Sequence, residues 1–169
     1  QQEIQSVLQE LETVIIGKNC FISPDANIFA EPGRDIIIGD NVTIASNVFL
    51  HGPLNIANGV SINAGVSIDG GTKGVSISCN TRIASGTKIY AFNHGMTPDR
   101  NIKDQPVTSF GIKIGEDVWI GANVCIADGV SIADRVVVGM GAIVTKDITE
   151  YSIVAGNPAK VIGNRSDKI

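Results

Sequence analysis

Apart from a few breaks, every sixth residue along more than a hundred positions of this chain is aliphatic. The heads of these hexads are Ile16, Ile22, Ile28, then Ile38, Ile44, Leu50, Ile56, Ile62, Ile68, then Ile77, Ile83, Ile89. After a longer gap come Ile114, Ile120, Ile126, Ile132, Val138 and Val144. Four places after a head sits a smaller group, as at Val42, Val48, Val60, Val66, Thr81, Thr87, Val118, Val124 and Ala142. Directly after it comes a small residue, as at Gly39, Gly115, Gly121, Gly139, Ala45 and Ala84. Six is a multiple of two, so all heads face one side of an extended chain. The pattern runs on without separate hairpin signals. That excludes an ordinary half-buried sheet and leaves a solenoid of short strands with small residues at the corners. We assign three hexads to each coil. Eighteen heads then make about six triangular coils, roughly 29 Å tall at about 4.8 Å per layer.

Composition narrows the classes. Hydrophobic residues make up 43% and charged residues 18%, which argues against disorder. The net charge of −4 offers no basic surface for nucleic acid. Apolar runs such as Val14-Ile15-Ile16 are too short to span a bilayer, and no leader is visible. Cys20, Cys79 and Cys125 are scattered and odd in number, which fits packed thiols in a reducing, cytoplasmic setting. Ile4, Val7, Leu8 and Leu11 form one face of a helix that would cap the first coil. The chain reads as a single domain, 1–169. It divides into a helix over 1–12, coils over 14–90 and 112–148, an excursion over 91–111, and a C-terminal segment over 149–169.

Three places break the period: Ile28 to Ile38, Ile68 to Ile77 around Asp69-Gly70-Gly71, and Ile89 to Ile114. The last sends nineteen residues out of the coil, and long loops on a rigid scaffold are where function concentrates. Of two histidines, His51 follows a head and points outward in a surface or packing role. His94 stands at the base of the excursion, where an imidazole can take a proton from an attacking hydroxyl or amine. Two histidines cannot build a three-histidine zinc centre, and no nucleophile elbow or Walker loop is present, so no metal is expected.

Several ordered segments carry a resemblance: Asn93-His94-Gly95, Ile114-Gly115-Glu116-Asp117-Val118-Trp119-Ile120-Gly121, the run Val138 to Asp147, and Ala155-Gly156-Asn157-Pro158-Ala159-Lys160-Val161-Ile162. The chain resembles the hexapeptide-repeat acetyltransferases over residues 14–163, in the branch of galactoside, maltose and polysaccharide O-acetyltransferases. The resemblance implies an all-β, left-handed parallel β-helix, against the usual right-handed crossover. It also implies a homotrimer using acetyl-CoA and a sugar-like acceptor. The catalytic base falls on His94, and coenzyme contacts fall on Gly121, Ala122, Met140, Thr145, Lys146 and Lys160. Acceptor contacts fall on Asn63, Asp69 and Asn93. The family's second basic residue after Lys160 is Gly163 here, with Arg165 close by as a substitute. Asp69, Asp99, Asp104 or a backbone carbonyl could orient His94, and Trp119 could flank the coenzyme or pack between subunits. O-acetyl transfer is the first reading. N-acetylation of a nucleotide-linked amino sugar and a non-enzymatic trimeric scaffold are the rivals.

Overall fold

A computed structural model, which describes residues 2–10 and 13–167, folds the hexads into a parallel β-solenoid of six stacked coils with three faces. Face A stacks Val14–Ile16, Ile36–Ile38, Leu54–Ile56, Val75–Ile77, Ile112–Ile114 and Ser131–Ile132. Face B begins at Phe21–Ile22, reaches Val137–Val138, and then adds Ser152–Ala155 and Lys160–Asn164. Face C climbs from Asn27–Phe29 to Ile143–Val144. The register sets head upon head: Ile16, Ile38, Ile56, Ile77, Ile114 and Ile132 form one parallel ladder inside face A. Every head except Ile28 is buried, and the smaller residues four places on fill the space between the ladders. Two of those are polar. Thr81 and Thr87 donate their hydroxyls to the carbonyls of Gly115 and Gly121, which removes the cost of burying them.

Corners follow a simple rule. The third residue after a head takes a positive φ, as at Asn19, Asn41, Asn47, Asn80 and Asn123, or is glycine, as at Gly59, Gly65 and Gly86. Asparagine and glycine tolerate that left-handed conformation best, so the turn chemistry and the hexad agree. At several corners an Asp or Asn also reaches down one coil. Asp40, Asn58 and Asp134 accept from the amides of Lys18, Asp40 and Glu116, each the second residue after a head. Ile62 lies at the middle of the stack, fully buried. Ile62→Ala is expected to cost about 2–5 kcal/mol in urea unfolding, because neighbouring coils cannot close the cavity.

The helix α1, Gln2–Glu10, packs on Val14–Ile16, with Ile4 and Leu8 half-buried and the Gln5 amide donating to the Cys20 carbonyl at 2.6 Å. Val7 stays exposed, so the apolar face is narrower than its spacing suggests, and Leu11 lies outside the described residues. At the other end the solenoid outruns the hexad count. Ile148 bridges Ile132, and Ile153 and Val154 pair with Val137 and Val138, so Ile148 and Val154 begin a seventh coil. The short step from Val144 to Ile148 hides this from a strict period of six. Lys160–Asn164 then folds back antiparallel on Ser152–Ala155 and covers that end.

All three interruptions fall at the same corner, between face C and face A, so the inserted segments stack beside one another. The excursion opens with a two-stranded hairpin in which His94 pairs with Val107 and Asn93 with Thr108.

Candidate active site

His94 sits one residue from the hairpin root, and that root is pinned. The Asn93 amide donates to Asp128 at 3.2 Å, and the same carboxylate accepts from the amides of Phe110 and Gly111. The Ser109 hydroxyl donates to the Ala91 carbonyl and accepts from the amides of Thr72 and Lys73, tying the excursion to the second insertion. Buried Gln105 organises the outer loop. Its Oε1 accepts from the Thr97 amide, and its Nε2 donates to the carbonyls of Thr97 and Arg100. Asp128, Ser109 and Gln105 were missed from sequence because none belongs to a chemical motif. Ser109 lies near the end of the long interruption, Gln105 inside it and Asp128 on the coil that follows.

The His94 ring is exposed, lies 6.0 Å from Phe92 edge-on, and has no hydrogen-bond or ion-pair partner among the described residues. Each carboxylate considered as its orienting partner is engaged elsewhere. Asp99 pairs with Arg100, and its carboxyl is held below the usual range, chiefly by the Thr97 side chain. Asp104 faces Lys103 and Asn101.

Asp69 is held on three sides: by Arg34 at 3.0 Å, by His51 Nδ1 at 3.1 Å, and by the Gly71 amide at 2.9 Å. Arg34 also donates to the Gly52 carbonyl, so the first and second insertions are cross-linked. His51 points outward from face C, as expected, packed 4.8 Å from Phe29. Its shielded Nε2 has no hydrogen bond and stands 3.5 Å from Glu31, without hydrogen-bond geometry.

The other residues singled out from sequence gather at two further places. Asn63 and Gly121 both lie directly after a face B head, at the corner between faces B and C, two coils apart and thus separated by about 10 Å. The Asn63 side chain is exposed and unpartnered among the described residues. The Gly121 amide is spent on the coil ladder, donating to the Val138 carbonyl at 2.8 Å. The amide of Ala122 makes no hydrogen bond among the described residues. At the A–B corner Lys18, Asp40 and Glu116 give their amides to an Asp or Asn one coil on; at the B–C corner Met140 stands above Ala122 and offers no oxygen. A side chain on Gly121 would come within 2.6 Å of the Met140 amide nitrogen, so only glycine fits beneath it.

Thr145 and Lys146, with Ala159 and Val161 on either side of Lys160, border a cavity of about 210 Å³ near the C-terminal end. Lys146 and Lys160 are exposed and have no ion pair among the described residues, whereas Arg165 is held by Asp117 at 3.0 Å. Arg165 is therefore not free to replace the cation missing at Gly163. Trp119 projects from face B between Arg82 and Val137, largely exposed.

Known proteins share this plan. The family described as the hexapeptide repeat of succinyl-transferase matches residues 13–51 and 111–146. The galactoside O-acetyltransferase of Escherichia coli K12 is 31% identical over 163 residues, spanning 96% of this chain and 72% of its own. The chain belongs to the hexapeptide-repeat acetyltransferases. WbbJ of Escherichia coli K12, named for O-acetyl transfer in lipopolysaccharide biosynthesis, is 30% identical over 94% of this chain and 86% of its own. Among solved structures, AntD from Bacillus cereus, an N-acyltransferase in complex with dTDP and coenzyme A, superposes with a TM-score of 0.86. It is 29% identical, over 99% of this acetyltransferase and 90% of AntD. A further AntD complex holds dTDP-4-amino-4,6-dideoxyglucose and coenzyme A, at a TM-score of 0.83 and 30% identity, over 95% and 89% of the two chains.

Proposed function

We propose that this acetyltransferase moves an acetyl group from acetyl-CoA directly to a hydroxyl of a sugar or polysaccharide precursor, with His94 as the general base. The observation that carries this reading is the division of the machinery between two corners. His94 is pinned at the corner of faces C and A, while Asn63 and the free Ala122 amide sit at the corner of faces B and C. One full side of the triangle separates them, so a single chain cannot bring both to one reacting carbon. A second copy that sets its C–A corner against this copy's B–C corner completes the site, and three copies close the ring. A homotrimer meets that requirement.

The residues present fit the coenzyme. Lys146 and Lys160 are unpaired ammonium groups beside the cavity that Thr145 borders, suited to phosphates as point charges. Exposed Met140, Val161 and Ile162 offer apolar surface for the pantetheine arm, and Trp119 flanks it. When bound, the coenzyme supplies an acetyl thioester, an activated acyl group. His94 accepts the proton of the acceptor hydroxyl as that oxygen bonds to the acetyl carbon. It returns the proton to the coenzyme sulfur as the thioester C–S bond breaks and the free thiol leaves. The Ala122 amide, preorganised by its corner, donates to the carbonyl oxygen as negative charge grows there. Asn63 binds the acceptor, while Asp69 and Asn93 act beneath it. Asp69 holds Arg34 and His51 in place, and Asn93 fixes the hairpin root that carries His94. The free thiols Cys20, Cys79 and Cys125 agree with a cytoplasmic setting.

A second reading, N-acylation of a nucleotide-linked amino sugar, is favoured by the likeness to AntD along almost the whole of both chains. The same residues serve, since an amine only reduces the demand on the base. A panel of acceptors assayed for release of the free coenzyme thiol separates the two. Turnover with unmodified sugars supports hydroxyl transfer, and turnover confined to amino sugars supports the second reading. No turnover with either class overturns both.

A further inference from the structure

We propose that the outer surface of face A beside the C–A corner binds a nucleoside diphosphate, the handle of a nucleotide-linked acceptor sugar. The inference deepens the acyl-transfer reading and rests on it only for where the sugar goes.

A plain solenoid would leave this surface flat, but all three interruptions of the hexad build a wall on it. Asp35 comes from the first, Lys73 from the second and Phe110 from the third, and together they rim a cavity of about 290 Å³. Its floor is one outward row of face A in strict register: Ile37, Asn55, Ser76 and Lys113. The chemistry of that lining is specific. Lys73 and Lys113 have no ion-pair partner among the described residues, and Phe110 leaves 76% of its surface open. Two free ammonium groups suit a diphosphate, and an exposed ring suits the face of a base. Asn55 carries both donor and acceptor for a base edge, and Asp35 suits ribose hydroxyls.

The walls are also held in advance. Ser109 accepts from the Lys73 amide at 3.0 Å, and Asp128 holds the amides of Phe110 and Gly111 at 2.9 Å. A side chain on Gly111 would press on Lys73 Cβ at 3.3 Å, so the second and third insertions meet closely. Phe110 lies three residues beyond Val107, the residue paired with His94. That is at most about 11 Å of chain, comparable to a diphosphate with its hexose. A base on Phe110 therefore leaves the sugar near the imidazole.

Titration calorimetry of the intact protein with dTDP, thymidine and inorganic pyrophosphate tests this. dTDP should bind more tightly than either fragment. Phe110→Ala should weaken it about 10-fold, Phe110→Trp should preserve it, and Lys73→Ala with Lys113→Ala should abolish most of it. Excess coenzyme A should leave dTDP binding unchanged. Absent dTDP binding, indifference to these substitutions, pyrophosphate binding as tightly as dTDP, or displacement by coenzyme A would each overturn the inference. A protein that acetylates free sugars yet ignores dTDP refutes this inference alone and leaves the acyl-transfer reading standing.

Discussion

Replacing His94 with alanine is expected to lower kcat by about 10²–10⁴-fold, equivalent to about 3–5.5 kcal/mol of barrier, while coenzyme affinity stays near its original value. The separation of the two effects is the informative part. The His94 ring is exposed and has no hydrogen-bond partner among the described residues, so its loss leaves no buried group orphaned and no cavity behind. Thermal stability should therefore shift by no more than about 0.5 kcal/mol. The proposed coenzyme residues lie on other elements: Lys146 follows Val144, two coils beyond the one that launches the excursion, and Lys160 is on the terminal antiparallel strand. A variant that folds, binds the coenzyme and fails to turn over isolates the proton-transfer step. Unchanged turnover would remove His94 from the mechanism and require another base.

The second large effect is expected from Ala122→Pro, which deletes one N–H and little else. Loss of a single oxyanion donor typically costs about 10²–10³-fold in kcat. The fold already holds the control for this substitution. Pro24 is the second residue after the head Ile22, at the same B–C corner that Ala122 occupies after Ile120. Proline is thus compatible with a corner of this kind, and its fixed φ suits the first central position of a tight turn. The native amide makes no hydrogen bond among the described residues, so nothing in the ladder is lost. Ala122→Gly, which keeps the N–H, should retain most activity. Steady-state kinetics on the pair distinguishes donor loss from a reshaped corner.

Much of the architecture could be read from residues because solenoid interiors are repetitive. An unbroken file of Ile, Leu and Val has one face to bury, and stacking buries it. The same regularity misled at the end of the chain, where a four-residue step conceals that Ile148 and Val154 carry on the ladders. The candidate site was legible only residue by residue. His94 stood out as the single imidazole in the one long interruption, and the coenzyme positions came through the family resemblance. Which amide was available could not be read. That depends on what stands one coil above, and the register shows Met140 above Ala122, where the A–B corner above Glu116 places Asp134. Nor could the sequence show that Asp69 is shared among Arg34, His51 and the Gly71 amide, because those residues meet only when the insertions stack. Arg165 is the same kind of case, a plausible cation by position that the fold commits to Asp117.

In the proposed assembly the proton acceptor and the carbonyl-stabilising amide at each site come from two different copies of the chain. Refolding equal amounts of His94→Ala and Ala122→Pro chains together, and assaying the mixed assemblies, tests it directly. Each variant alone should be nearly inactive, whereas random mixing should restore about one quarter of wild-type turnover, the chance that an interface pairs an intact His94 with an intact Ala122. Mixtures no more active than the separate variants, although the chains demonstrably co-assemble, would show that one chain supplies both groups and would contradict the account.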